Sequence, residues 1–291
     1  MSFAGVASAM NASLRRTLGR AALPLALAAA LGLAACSGTP KEEDIVIEGS
    51  VEDLYNRATD LLEAENYKEA ARFYNEVDRQ HPYSTWASRA QLMSSYSYYK
   101  EREYETAVTA LNRFIRLHPS HRDIAYAYYL KALCFFEQVR DVKRDQSPAE
   151  EALKSFDEVV KRFPDSRYAQ DSRNKIVLVQ DHLAGHEMDI GRWYQRRGQY
   201  LAAVNRYKTV VDRYQTSRQV PEALHRMTES YTALGLTDEA RRVAAVLGHN
   251  YPSSEWYFDT YELVEKKPVD RPPPAPGEGR TFMRRAVDWM F

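Results

Sequence analysis

One phrase is written again and again along this chain. Residues 67–82 read YKEAARFYNEVDRQHP, residues 104–119 read YETAVTALNRFIRLHP, and weaker echoes occupy 148–164, 200–215 and 237–252. Each copy sets a small residue ahead of apolar residues three, four and seven positions later. In the first these are Ala70, Phe73, Tyr74 and Val77; in the second, Ala107, Ala110, Leu111 and Phe114. That spacing gathers one apolar stripe on one face of a helix, and a proline about one turn beyond the stripe ends it in most copies.

Anchored on Ala70, Ala107, Ala152, Ala203 and Ala240, the steps between copies are 37, 45, 51 and 37 residues. A step of 37 is a 34-residue unit plus a three-residue joint, and the length and the small–aromatic–small–proline pattern are those of a tetratricopeptide repeat. Ahead of each copy lies a first helix whose matching position is small or short: Ala58, Ser95, Ala132, Gly191 and Thr228. Three residues on stand Leu61, Tyr98, Phe135, Tyr194 and Tyr231. The small residue lets a partner helix approach and the bulky one fills the groove that results. One such unit cannot cover its own apolar face, so the units must stack. The expected fold class is all-α, a superhelical solenoid of about five tetratricopeptide repeats.

Lys and Arg together number 40, as do Asp and Glu, so the formal net charge is zero. That balance, with no basic helix, P-loop or zinc spacing, gives no argument for nucleic acid. Residues 1–35 read as a lipoprotein signal peptide. Arg15, Arg16 and Arg20 precede an apolar run over 21–33, too short for a stable membrane anchor and suited to secretion. The run ends in Leu33-Ala34-Ala35-Cys36, which resembles the lipobox of bacterial lipoproteins and implies lipidation of Cys36. Ser37 follows where a retained lipoprotein would carry Asp, implying anchorage in outer-membrane lipid with the body on the periplasmic face. Cys134, in a predicted apolar helix, reads as a small buried residue or a reactive thiol.

Residues 36–50 form a polar tether. Residues 51–165 carry repeats one to three, and 166–265 an extra helix and repeats four and five. The extra run, 168–184, is a separate helix or a lengthened first helix of repeat four. Between the helices of repeat three, residues 140–148 make a charged excess that is either a contact site or a solvated loop. Residues 266–291 are a proline-rich tail with a short amphipathic segment around Phe282, Met283 and Met290, which docks, meets a membrane surface or frays.

In a tetratricopeptide stack the first helices line the inner surface. The positions that face it here include Tyr55, Arg89, Tyr96, Tyr99, Tyr126 and Tyr129, with Lys100 nearby. Such an aromatic set suits an extended apolar or aromatic peptide, the alternative being that the rings merely pack between repeats. Arg206 stands where the other repeats place Phe73, Ala110, Ser155 and Val243. An unpaired guanidinium buried there would cost on the order of several kcal/mol. Arg206 must therefore pair within the chain, with Asp212 or Glu187, or join Arg192, Arg196, Arg197 and Arg213 in meeting an acidic partner. No nucleophile elbow, phosphate loop or metal-ligand spacing is present, and His186-Glu187 lacks the second histidine of a metalloprotease phrase. The reading is of a non-enzyme with no cofactor.

A lipobox followed by five repeats and a long third-repeat loop resembles the BamD family, the lipoproteins of the outer-membrane β-barrel assembly machinery. The phrases Leu54-Tyr55-Asn56-Arg57-Ala58, Asn112-Arg113-Phe114-Ile115-Arg116-Leu117-His118-Pro119, Arg144-Asp145-Gln146 and Arg196-Arg197-Gly198 through Val204-Asn205-Arg206 carry the likeness. It implies that the amino-terminal repeats receive the terminal targeting signal of unfolded outer-membrane proteins. It further implies that the other half docks the last POTRA domain of a BamA-like barrel insertase through Arg197 and Arg206, in the company of other accessory lipoproteins. A different periplasmic tetratricopeptide scaffold, serving envelope constriction or peptidoglycan synthesis, is the other function considered.

Overall fold

The computed structural model describes residues 48–268. The signal peptide, Cys36, most of the tether and the tail from residue 269 lie outside the described residues. Helices alternate in the order the repeats require: α1 (Val51–Glu63), α2 (Tyr67–Gln80), α3 (Ala87–Lys100), α4 (Tyr104–Leu117), α5 (Ile124–Phe136), α6 (Ser147–Arg162), α7 (Arg167–Arg196), α8 (Tyr200–Arg213), α9 (Val220–Ala233), α10 (Thr237–Asn250) and α11 (Glu255–Glu265). From Gly49 on they form one compact unit, each packing on its sequence neighbours. First helices also approach one another, α3 with α5 and α5 with α7, whereas no two second helices do so to the same degree. The stack therefore curves with its first helices inside.

The spacing in sequence becomes the core. Ala58, Ser95, Ala132, Gly191 and Thr228 are all buried, and so are the five partner alanines from Ala70 to Ala240. Each second helix ends alike: His81, His118, Phe163, Tyr214 and Tyr251 hold φ between −125 and −135 and ψ between 50 and 56. A following proline excludes the helical region for the residue before it, which explains four of the five stops. Tyr214, followed by Gln215, takes the same conformation without one, because tertiary packing holds it there; Tyr214 is buried against the core. The joints inside repeats one, two, four and five each hold a left-handed residue at the same register, Glu65, Arg102, Gly198 and Gly235.

Polar clamps fix one repeat against the next. Arg113 on α4 pairs with Asp78 on α2 at 3.1 Å, Gln91 on α3 donates to the same Asp78 at 2.6 Å, and His118 meets Gln91 at 3.0 Å. Two signature residues of the phrase at 112–119 thus act structurally, tying repeat one to repeat two.

Two departures from the repeat shape the second half. The run 168–184 is no separate helix; it continues into the first helix of repeat four as the 30-residue α7. No proline interrupts it, and Gly185 passes mid-helix where Val142 lies against it. The other is α11, begun by Ser254 accepting from the Trp256 N–H at 3.3 Å, which closes the end of the stack against α9 and α10. A terminal helix covering the last apolar face is what a stack of interdependent repeats requires.

Candidate functional site

The inner face of the first three repeats brings most of the expected aromatic residues together. On α3, the rings of Tyr96 and Tyr99 lie 6.4 Å apart, and Tyr99 is 6.0 Å from Tyr104 of α4. Burial pushes the Tyr99 phenol up to about 12, helped by the Glu137 carboxylate, which its hydroxyl approaches at 3.4 Å. On α5, Tyr126 sits 5.4 Å from Tyr168, and Tyr129 stacks on Tyr168 at 5.2 Å with planes 28° apart. The Tyr129 hydroxyl donates to Asp171. Desolvation raises the pKa of both Tyr126 and Tyr129, and the neighbouring phenols of Tyr96 and Tyr99 reinforce it for Tyr126. All four rings are partly buried.

Tyr55 is placed differently. It is 7% exposed, held between Tyr74 at 5.3 Å and Trp86 at 4.8 Å. Arg89 lies over its ring at 5.7 Å and is itself exposed. Here Arg89 is the accessible group, and Tyr55 lies beneath it. Sequence reasoning missed Trp86, Tyr104, Tyr168 and Asp171 as wall residues. Tyr168 and Asp171 open the run 168–184, but their position beside α5 depends on a contact across about forty residues of sequence.

The arginines singled out in the sequence are engaged one by one. Arg206 pairs with Glu187 of α7 at 3.2 Å and keeps 43% of its side chain exposed. Arg197, past the end of α7, lies 3.9 Å over the ring of Trp193, itself 42% exposed, while Leu201 next to the joint is 63% exposed. Arg213 lies over Tyr214 at 5.9 Å. Arg192 turns inward to Asp189 at 2.6 Å and Glu222 of α9 at 3.0 Å.

That inward turn belongs to a network the sequence did not disclose. Arg226 bonds Glu222 and Glu229, Gln195 donates to Glu229 at 2.9 Å, and Tyr207 donates to Gln195 at 2.7 Å. The buried His225 bridges Glu229 at 3.3 Å and Thr260 of α11 at 2.7 Å. Burial alone would raise the Glu229 carboxyl. The His225 hydrogen bond, the charges of His225 and Arg226 and the Gln195 bond outweigh it and hold Glu229 well below the ordinary carboxylate range.

The buried cysteine and two of the histidines are engaged structurally. Cys134 is fully buried, its thiol pushed up to about 12 by desolvation, so it packs as a small apolar residue. His118 and His186 are committed to Gln91 and to the Val142 carbonyl. Among the described residues no group of His, Cys, Asp or Glu is placed to hold a metal ion, and no helix is long and apolar enough to cross a membrane.

Comparison with known proteins matches this arrangement to a family. Residues 47–247 match the family YfiO, described as "Outer membrane lipoprotein". A protein of Caulobacter vibrioides named outer membrane protein assembly factor BamD is 46% identical over 253 residues, covering 86% of this chain and 83% of that one. Proteins of the same name from Rickettsia prowazekii and Neisseria meningitidis are 46% and 37% identical, covering 81% and 82% of this chain and 93% and 94% of theirs. The chain belongs to this family, the YfiO or BamD outer membrane lipoproteins.

Proposed function

We propose that the protein is a non-enzymatic scaffold of outer-membrane β-barrel assembly, anchored by lipid at Cys36 and held on the periplasmic face of the outer membrane. In this reading residues 51–165 form the half that receives substrate. The trough walled by Tyr96, Tyr99, Tyr126 and Tyr129, with Arg89 at one end, takes the terminal targeting segment of an unfolded barrel protein as an extended peptide. Half-exposed rings held by wall contacts give large contact area at little entropy cost, which suits alternating aromatic residues of a strand. The exposed guanidinium of Arg89 suits a carboxylate.

Residues 166–265 form the half that docks the barrel insertase, a BamA-like subunit, through its last POTRA domain. Arg197 on Trp193, the nearby Leu201, and the half-exposed Arg206 support this surface, since a guanidinium stacked on an indole beside an exposed leucine is the composition of an interaction hot spot. The observation that carries the proposal is the gathering of partly buried aromatic rings on α3 and α5 of the first half, whose chemistry suits such a client.

Depletion tests it: simultaneous loss of many outer-membrane barrels is the expected result. Normal barrel levels with a wall or septum defect would replace this function with that of another periplasmic scaffold.

A further inference from the structure

The second half carries an open cavity of about 1440 Å³ that shares only Trp193 with the surface assigned above to the insertase. Its walls are the carboxy-terminal part of α7, the start of α9, the turn into α11, and Val142 and Lys143 of the loop between α5 and α6. Ligand pockets for small molecules run to about 300–1,000 Å³, so this space is larger than one such ligand needs and suits a segment of polymer.

The lining carboxylates Asp189, Glu222 and Glu255 accompany the lining cations Lys143, Arg192, Arg196 and Arg226. Arg192 and Arg226 are bonded to Asp189, Glu222 and Glu229, and their positive charge is favoured by those carboxylates despite burial. The wall also holds apolar and aromatic surface in Ile190, Trp193 and Trp256. Two further lining cations, Lys143 and Arg196, are exposed and make no ion pair. Lys143 is carried by a loop braced from within, where Gln146 donates to the carbonyls of Val142 and Arg144 at 3.2 and 2.7 Å, and His186 of α7 binds the Val142 carbonyl. The cation is therefore presented on an ordered support.

We propose that this cavity is a second peptide site, one that takes an extended acidic segment with aromatic side chains from a partner protein. A carboxylate of the segment meets Lys143 or Arg196, and an aromatic side chain lies against Trp193. Charge selects this occupant over the chain's own tail. Residues 269–291 carry Arg271, Arg280, Arg284 and Arg285 against Asp270, Glu278 and Asp288, so the tail would bring an excess of like charge to the two unpaired cations. The site is independent of the trough on the first half.

The test is fluorescence anisotropy with a labelled synthetic peptide that alternates aspartate and tyrosine, titrated with the mature full-length protein. Saturable binding that weakens with salt is expected, and K143E/R196E should weaken it at least about tenfold with unchanged helicity. The milder K143Q/R196Q should fall between the two. A lysine–tyrosine peptide should not bind, and a barrel-derived terminal peptide should not displace the probe. Absence of binding, equal affinity of K143E/R196E, or displacement by the barrel peptide would each overturn the proposal. So would tighter binding after removal of residues 269–291, which would make the tail the occupant. Failure of the barrel peptide to bind anywhere would count against the first trough and leave this site standing.

Discussion

The ring of Tyr168 stacks on that of Tyr129, with centroids 5.2 Å and planes 28° apart, so the first turn of α7 joins the aromatic group on α5. The same turn brings Asp171 to the Tyr129 hydroxyl. An aromatic pair of this kind contributes about 0.5–1.5 kcal/mol beyond its area.

Tyr96→Ala combined with Tyr129→Ala should therefore weaken binding of a barrel-derived terminal peptide by about fivefold or more, each ring removing about that much. Tyr168→Ala should weaken it as well, by freeing the Tyr129 ring. Isothermal titration with circular dichroism as a folding control measures this. Unchanged affinity in the double variant would mean the rings only pack.

Arg206→Glu is expected to abolish co-purification of the barrel insertase while leaving helicity intact. Its pairing with Glu187 is half-exposed and screened, so loss of that pair costs about 1 kcal/mol or less. Glu187→Gln, which releases the guanidinium without removing it, should retain the insertase. If the two variants behaved alike, the ion pair and not the arginine's outward face would be what matters.

Gly191 allows the closest approach of α7 and α8. A Cβ at this position would run into the Tyr207 ring, and that ring is fully buried with its hydroxyl fixed on Gln195. Gly191→Ala should lower stability by about 1–3 kcal/mol, seen as a fall in the denaturant midpoint. Adding Tyr207→Leu should recover part of the loss, so the two substitutions should not be additive.

The position of Gly191 was legible in the sequence because the repeat demands a small residue in each first helix, and Ala58, Ser95, Ala132 and Thr228 obey the same rule. Periodicity encodes packing between helices that neighbour one another in the chain. It does not encode contacts made across a repeat boundary. Tyr55 and Tyr129 occupy equivalent inner-face positions, yet Trp86 covers the first and Tyr168 shapes the surroundings of the second. The Arg192, Glu222, Arg226 and Glu229 network was hidden for the same reason, since its members come from two first helices separated by a whole second helix. The charge of Arg206 was visible as an anomaly, and the structure resolves the choice of internal partner in favour of Glu187 over Asp212.

Glu229 gives the fold an acid sensitivity with a defined sign. Its folded pKa is depressed, so the stability it contributes is fully present above its ordinary value of about 4.5 and is lost as the pH falls below that. Between pH 5 and pH 3 the wild type should lose more thermal stability than Glu229→Gln. The difference should approach the slope of one proton, about 1.4 kcal/mol per pH unit. Parallel curves for the two proteins would show that other carboxylates govern acid unfolding.

The uninterrupted α7 has a geometric effect of its own. Its first half packs beside α5 and α6, its second half pairs with α8, and the extra fourteen residues at about 1.5 Å each carry the later repeats roughly 21 Å along the helix axis. On the function proposed above, a client held by the first half and a partner held by the second would be spaced by one continuous helix.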